Sequence, residues 1–323
     1  MLSEKDIISK FLRPLAINRE AQNLNNDGAI LKQSNSNFVI SSDMMIENIH
    51  FYENDDPKLL GRKLLRVNLS DLAAMGCKPY GYILNLGIPK LKTDFWLKKF
   101  CSGLKLDQEK FGLKLFGGDL SKSEIVFLSI TIIGVKGKSI LECSKAKNYS
   151  DIFVSGNIGD AGLGLFLKQN PDFIVDKKLK NFFLNKLHTP KPRLGLSQNL
   201  CGYADACTDI SDGLILDLKK ISSLSNLQSN IFLNQIPLSI QAKKMKKIIN
   251  DDNYFWEKIL TGGEDYELIF SMSKSKQNTF IENKKNNLSY LKKIGYFKNG
   301  SGIKIHSYNN FRLNLKKIGY SHF

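Results

Sequence analysis

The sequence predicts an α/β (or α+β) protein built as two successive halves. Three observations carry this. Short apolar runs of strand type alternate with longer stretches of helical periodicity. The alternation breaks in a polar, irregular stretch over residues 136–150 and then resumes. The length, 323 residues, suits two domains or one large one. The division expected is residues 1–145 and 146–323.

Each element has a local reason. Residues 38–42, FVISS, open on three strand formers in a row. Asp43 follows directly, with Glu47 and His50 behind it; a carboxylate at the end of a buried strand is costly without a positive partner. PKLLGRKLLRVNLSDLAAMG (57–76) is a helix opened by Pro57 and closed at Gly76. YGYILNLGIP (80–89) is a strand, and 93–112 a helix with Thr93 as N-cap. LKLFGGD (113–119) is a short strand and EIVFLSITIIGV (124–135) the longest clear one. In the second half DIFVSG (151–156) is a strand, and helices follow Gly159 and start near Pro190. SDGLILDLKKISSLS (211–225) reads as a helix; NIFLN (230–234) and YELIFSM (266–272) read as strands, with short strands at KIGYF (293–297) and GIKIH (302–306). No short internal repeat is evident.

Composition removes several classes. No apolar run is long enough to span a bilayer. The N-terminal twenty residues are charged and amphipathic, without the apolar centre of a signal peptide. A cytoplasmic protein is expected. The five cysteines form no CxxC pair, so reduced, structural thiols are expected rather than disulfides or zinc. Net charge is +16, which raises nucleic acid as a partner. The basic residues are mostly scattered Lys or short runs such as KKMKK (243–247), and Arg, the main base reader, is scarce. A lysine-rich solvated surface is the preferred reading, with no nucleic acid and no membrane as partners.

Aspartates recur at element ends: NNDGAI (Asp27), SSDMM (Asp43), NLSDLAAMG (Asp71), FGGDL (Asp119) and TDISDGL (Asp209, Asp212). Each of these motifs carries Gly, Ser or Asn, residues of tight turns. Singly, each is most often a turn or cap residue. Six together suit magnesium and phosphates, because Mg²⁺ takes a few carboxylates plus water and phosphate oxygens. Convergent carboxylates need cations between them, and those cations offset charge in phosphoryl transfer. The expected partner of Asp43 is therefore a metal ion, to which Ser41 and Ser42 could add backbone or hydroxyl oxygens. No GxxxxGK[ST] loop and no protein-kinase signature set occurs. SGNIGDAGLGL (155–165) is glycine-rich and opens a helix, but lacks the Rossmann spacing.

With these residues in view, the sequence resembles the thiamine-monophosphate kinases. The matching segments span nearly the whole chain: DGA, SSDMMIENIHF, GRKLLRVNLSDLAAMGCKP, FGGDLSKS, VSGNIGDAGLGL, TDISDGLILDL, TGGEDYELIF and the terminal GYSHF. The acidic motifs alone place it in the wider aminoimidazole-ribonucleotide synthetase-like superfamily of ATP enzymes; SDMMIENIHF, NLSDLAAMG and GYSHF narrow it to this family. The resemblance implies the two-domain fold of that superfamily, an N-terminal ATP- and metal-binding domain and a C-terminal α/β domain, with N-terminal strands sharing a β-barrel in a homodimer. It implies ATP as co-substrate, several Mg²⁺ ions, and direct in-line transfer of the γ-phosphoryl group to thiamine monophosphate, giving thiamine pyrophosphate. Carried over by motif, Asp27, Ser41, Ser42, Asp43, Asp71, Asp119, Asp209 and Asp212 are metal ligands, with Asp43, Asp71, Asp119 and Asp212 catalytic. Gly118, Asp119 and Ser211 lie against ATP. His50, Glu264 and Tyr320 contact thiamine monophosphate. Outside that context His50 reads as an ordinary surface or satisfied histidine, and Tyr320 as a packing or fraying residue.

Two positions depart from the family. Where RSGAKPGD with an ATP-binding Arg is usual, this chain reads CSKAKNYSD (143–151), with Cys143 in place of the Arg. A bidentate phosphate contact is lost, and Lys145 or Lys147 offers only a point charge. Weaker ATP binding is expected. Leu120 replaces the Thr usual after GGD. Three rival readings stand beside this one. Selenophosphate synthetase needs a reactive Cys in a glycine-rich N-terminal segment, whereas the first Cys here is Cys77. A nucleic-acid binder would lose affinity at modest salt. A degenerate family member without turnover is opposed by six retained Asp.

Overall fold

The computed structural model describes residues 23, 25–32, 37–90, 92, 94–283, 291–308 and 311–321. The amphipathic N-terminus, the Thr93 cap and the last two residues of GYSHF lie outside them. Two sheets organise the chain.

The first sheet holds β1 (Ala29–Lys32), β2 (Asn37–Ile46), β3 (Cys77–Ile88), β4 (Lys114–Lys122) and β5 (Phe127–Lys136), in the order β1-β2-β5-β3-β4. β5 is antiparallel to both β2 and β3, whereas β4 runs parallel to β3. The parallel pair exists because helix α2 (Asp94–Phe111) makes the crossover between them. The described strands form an open sheet, with β1 and β4 at its edges. In β5 Leu128, Ile130 and Ile132 alternate inward and are fully buried. Over that face lies α1 (Pro57–Ala74), opened by a hydrogen bond from Lys58 N to the N-cap Asp56.

The second sheet holds β6 (Asp151–Ser155), β7 (Ala206–Asp209), β8 (Leu227–Phe232), β9 (Leu268–Met272), β10 (Leu291–Asn299) and β11 (Ile303–His306), in the order β11-β8-β10-β6-β9-β7. All its pairs are antiparallel except β11 with β8. Around it run α3 (Asp160–Gln169), α4 (Lys177–His188), α5 (Leu194–Leu200), α6 (Leu214–Ser225), α7 (Ile240–Ile249), α8 (Asp252–Thr261) and α9 (Lys274–Asn283).

Each sheet has its own apolar core. A third cluster joins them, with Ala73 and Ala74 of α1 against Leu200 and Cys201 of the α5 end, Cys207 and Leu268. Four cysteines are buried, Cys101 is exposed, and all five are free thiols. Among the described residues no helix is long and apolar enough to cross a membrane.

Two expectations are corrected here. The first strand does not end at residue 42: its ladder with β5 continues through Asp43↔Ile130 to Ile46↔Phe127. β4 likewise runs past the glycines to Lys122, so Asp119 lies within a strand rather than at its end.

Candidate active site

Period-two geometry sets the first part of the site. On β2, Val39, Ser41, Asp43 and Met45 share one face; Val39 and Met45 are buried in the core that α1 covers. α1 answers with residues at helical spacing. Asn68, fully buried, accepts from the backbone N of Asp43 at 3.0 Å. Asp71, one turn further, accepts 2.5 Å from Ser41 Oγ. Ser70 faces the other sheet and donates 2.6 Å to Asp209 Oδ2, at the end of β7. Asp27 closes the group: Thr208 Oγ1 donates 3.0 Å to it and Lys220 of α6 pairs with it. Four aspartates from two halves of the chain thus meet between the sheets.

Their electrostatics are those of crowded anions. Asp43 is pushed from 3.8 to about 6, first by loss of solvent and then by the charges of Asp27 and Asp212. Asp209 rises to about 7, by burial and then the charge of Asp27. Asp71 is also raised well above its ordinary value, by burial and then by the charges of Asp43, Asp209 and Asp27. Lys220 is held charged: the pull of Asp27 outweighs a desolvation that works against it.

Asp212 arrives on a loop that Asp217 builds. The buried Asp217 carboxylate accepts from the backbone N of Ser211, Asp212 and Gly213 at 3.1–3.2 Å. Against this loop docks residues 263–266. Gly263 has φ +67, and a Cβ there would stand 2.4 Å from Ser211 O. Glu264 and Tyr266 also take left-handed backbone, φ +66 and +49, uncommon for side-chain-bearing residues. The docking bonds are Glu264 N to Ser211 O at 2.7 Å and Tyr266 N to Ile210 O at 2.8 Å. Tyr320 N donates 2.9 Å to Asp212 O, which brings the C-terminal segment to the same loop.

His50 and Glu264 line one small cavity, of about 40 Å³, with Asp55, Lys63, Lys168 and His188. Lys63 Nζ sits 2.7 Å from Glu264 Oε2, with Lys63 almost fully buried. Lys168 pairs with Asp55 across the halves. Burial, then the Lys168 charge, lowers His188 to about 4, so it is neutral at physiological pH. His50 Nδ1 accepts 3.0 Å from Ile46 N.

Three expected residues stand apart. Ser42 points to the opposite face of β2, bonding Ile130 O and Thr131 Oγ1. Asp119 is exposed on β4, where its backbone N donates to Asn85 Oδ1. Gly118 is explained by packing: a Cβ there would fall 1.7 Å from Leu84 O on β3. Lys145 and Lys147 pair with Glu142 and Asp205, not with the aspartate cluster. Sequence reading missed Lys63, Asn68, Ser70, Asp217 and Lys220. The helical spacing of Asn68 and Asp71 carried a usable signal; Lys220 had none, being one of many lysines.

The donor set is all oxygen and mutually repelling, which fits a hard divalent cation. Among the described residues no three carboxylate, imidazole or thiolate groups stand close enough to hold one ion alone.

Residues 25–136, which carry Asp27, Asp43 and Asp71, match the family model "AIR synthase related protein, N-terminal domain". The thiamine-monophosphate kinase of Buchnera aphidicola subsp. Schizaphis graminum is 36% identical over 337 residues, covering 99% of both chains. The crystal structure of thiamine-monophosphate kinase from Stenotrophomonas maltophilia is 28% identical, with a TM-score of 0.76 over 93% of this chain and 94% of that one. AaThiL complexed with AMPPCP and TMP has a TM-score of 0.87 at 24% identity, covering 100% and 97%. The chain belongs to the thiamine-monophosphate kinase family.

Proposed function

We infer that this protein transfers the γ-phosphoryl group of ATP to thiamine monophosphate, giving thiamine pyrophosphate, in the cytoplasm. The observation that carries the reading is the meeting of Asp27, Asp43, Asp71 and Asp209 beside the Ser211–Asp212 loop, with Asp43, Asp71 and Asp209 raised first by burial and then by neighbouring carboxylates, in a chain of this family. AaThiL, of the same fold, binds AMPPCP and TMP together.

Asp27, Asp43, Asp71, Asp209 and Asp212, with Ser41, would hold Mg²⁺ ions. Those ions supply charge neutralisation and alignment of the phosphates. The chain's own part is positioning. Asn68 fixes the Asp43 backbone, Ser41 and Ser70 orient Asp71 and Asp209, and Asp217 holds the Ser211–Asp212 turn against ATP. His50, Glu264 and Tyr320 take the thiamine end, with Lys63 holding Glu264 in place. Transfer is direct and in line, without a phosphoenzyme. The catalytic set is Asp43, Asp71, Asp119 and Asp212. Residues 1–145 form the ATP- and metal-binding domain and residues 146–323 the C-terminal domain.

Asp119 and Gly118 join the site from a second copy of the chain. Asp43 opposes Ile130, Ile130 opposes Leu84, and Leu84 opposes Gly118. Three strand spacings of about 4.8 Å put that position about 14 Å from Asp43 within one chain. β4 is exposed along its whole length, with Leu115, Phe116 and Leu120 at 51, 48 and 67% exposure. Such an edge calls for a partner, and a homodimer that continues the sheet supports a shared barrel.

The direct test incubates purified protein with ATP, Mg²⁺ and thiamine monophosphate and separates products by chromatography. Thiamine pyrophosphate formed with Mg²⁺ and absent with a chelator is expected. ATP binding without pyrophosphate formation overturns the substrate assignment.

A further inference from the structure

A second and much larger cavity, about 460 Å³, lies between the halves. It shares no lining residue with the His50–Glu264 cavity or with the aspartate cluster. Most charges around it are already satisfied. Arg66 makes a two-pronged contact with Asp107 and donates to Pro190 O. Glu267 is paired by Arg193 and Ser155. Asp265 accepts from the backbone N of Gly159 and Ala161.

Asp160 is the exception. It is 2% exposed. Its Oδ1 accepts 2.6 Å from Ser239 Oγ, while Oδ2 has no hydrogen-bond donor. Lys186 Nζ stands 3.9 Å from Oδ2, beyond hydrogen-bond reach. A buried carboxylate oxygen left without a donor is costly and calls for one. The exposed Lys110, Lys186 and Lys191 also line the cavity, and Phe182 gives it a flat apolar wall.

We propose that this cavity is a second ligand site, taking a small organic phosphate that carries an amino group on a flat ring. The amino group donates to Asp160 Oδ2, the ring lies on Phe182, and the phosphate meets the three lysines. Three cations suit a group of more than one negative charge better than a single carboxylate. The volume lies within the range of small-molecule sites, and a boundary between halves is where such sites concentrate. Nucleotides and thiamine phosphates share this chemistry. The site stands apart from the reaction centre and does not depend on the activity proposed above.

Equilibrium dialysis of the full-length chain, once with AMP and once with thiamine monophosphate, counts sites and tells the two sources apart. Two sites per chain for one of these probes are expected. Asp160→Asn keeps the Ser239 bond and should weaken one site at least tenfold, leaving the KM values for ATP and thiamine monophosphate unchanged. The double variant Lys110→Gln/Lys186→Gln, on exposed positions, should do the same and serves if Asp160→Asn fails to fold. Asp212→Asn should remove the other site and spare this one. Binding of both probes that is indifferent to the cavity variants, at one site or two, overturns the proposal; a single site lost in the cavity variants keeps it and counts against the reaction-centre assignment instead.

Discussion

Ser70 of α1 donates a 2.6 Å hydrogen bond to Asp209 at the end of β7, joining the two halves of the chain at the aspartate cluster. Both residues are buried, and the bond works against the upward shift of Asp209. Ser70→Ala should cost about 1–3 kcal/mol, because a buried carboxylate loses a donor. Thermal unfolding measures that loss. Turnover should fall as well, since Asp209 loses its orientation; unchanged stability and kinetics would remove the bond from the argument.

Asp43→Asn separates stability from activity. The native site crowds Asp43 against Asp27 and Asp212. Removing its charge should raise metal-free stability by on the order of 1 kcal/mol, discounted from about 1.36 kcal/mol per pKa unit for partial exposure. Turnover should drop by about 10²-fold or more, as when a group stabilising transition-state charge is removed. Melting in a chelator, with and without the substitution, tests the first part; a lower melting temperature for the variant contradicts the crowding.

The same shifts set a pH dependence. Asp43 and Asp209 bind protons more tightly folded, at about 6 and 7, than at their ordinary 3.8. Over that window the native state carries more protons than the unfolded one, so their contribution to stability falls as pH rises. In chelator the chain should lose stability from pH 4 to pH 7 relative to Asp43→Asn, and Mg²⁺ should stabilise it more at the upper end than the lower. Differential scanning calorimetry across that range reads the sign.

The parts of this site legible in the sequence were those tied to one-dimensional pattern. Recurring Asp-bearing motifs with Gly, Ser or Asn marked Asp27, Asp43, Asp71, Asp209 and Asp212, whereas the strand alternation that separates Ser41 from Ser42 shows only in the fold. The lysines of α7 (KKMKK) read as a solvated basic run, α9 carries only a weak apolar stripe, and β7 is only four residues long. Partnerships of high sequence separation left no trace. Lys220 lies 193 residues from Asp27, and Ser70 lies 139 from Asp209. Asp119 and Gly118 look like site residues in one dimension, yet the sheet register sets them apart within a single chain.

Lys220, and neither Lys145 nor Lys147, is the lysine that pairs with Asp27 beside Cys143. Cys143 is buried, with its Sγ 3.8 Å from Asp27 Oδ2, and Lys220 brings a part-exposed ammonium to the same Asp27. Lys220→Met should raise the KM for ATP about tenfold, the loss of one charge-assisted contact, with kcat nearly kept. Cys143→Arg alone sets two cations on Asp27, so Cys143→Arg/Lys220→Met should lower the KM for ATP more than Cys143→Arg. Steady-state kinetics on the three variants decide between the residues; an unchanged KM in Lys220→Met takes Lys220 out of ATP binding.

The placement of Asp119 can be tested by mixing two dead enzymes. If Asp119 serves the site of a second copy, Asp43→Asn and Asp119→Asn each disable every site in their own homodimers. In a mixed dimer one site collects both substitutions and the other collects none. Random reassortment makes half of the dimers mixed, so about a quarter of all sites become intact, as two-fold symmetry requires. Activity should therefore appear when the two inactive proteins are unfolded together and refolded, and not when each is refolded alone. If Asp119 instead acts within its own chain, every site in every dimer carries one lesion, and the mixture stays inactive.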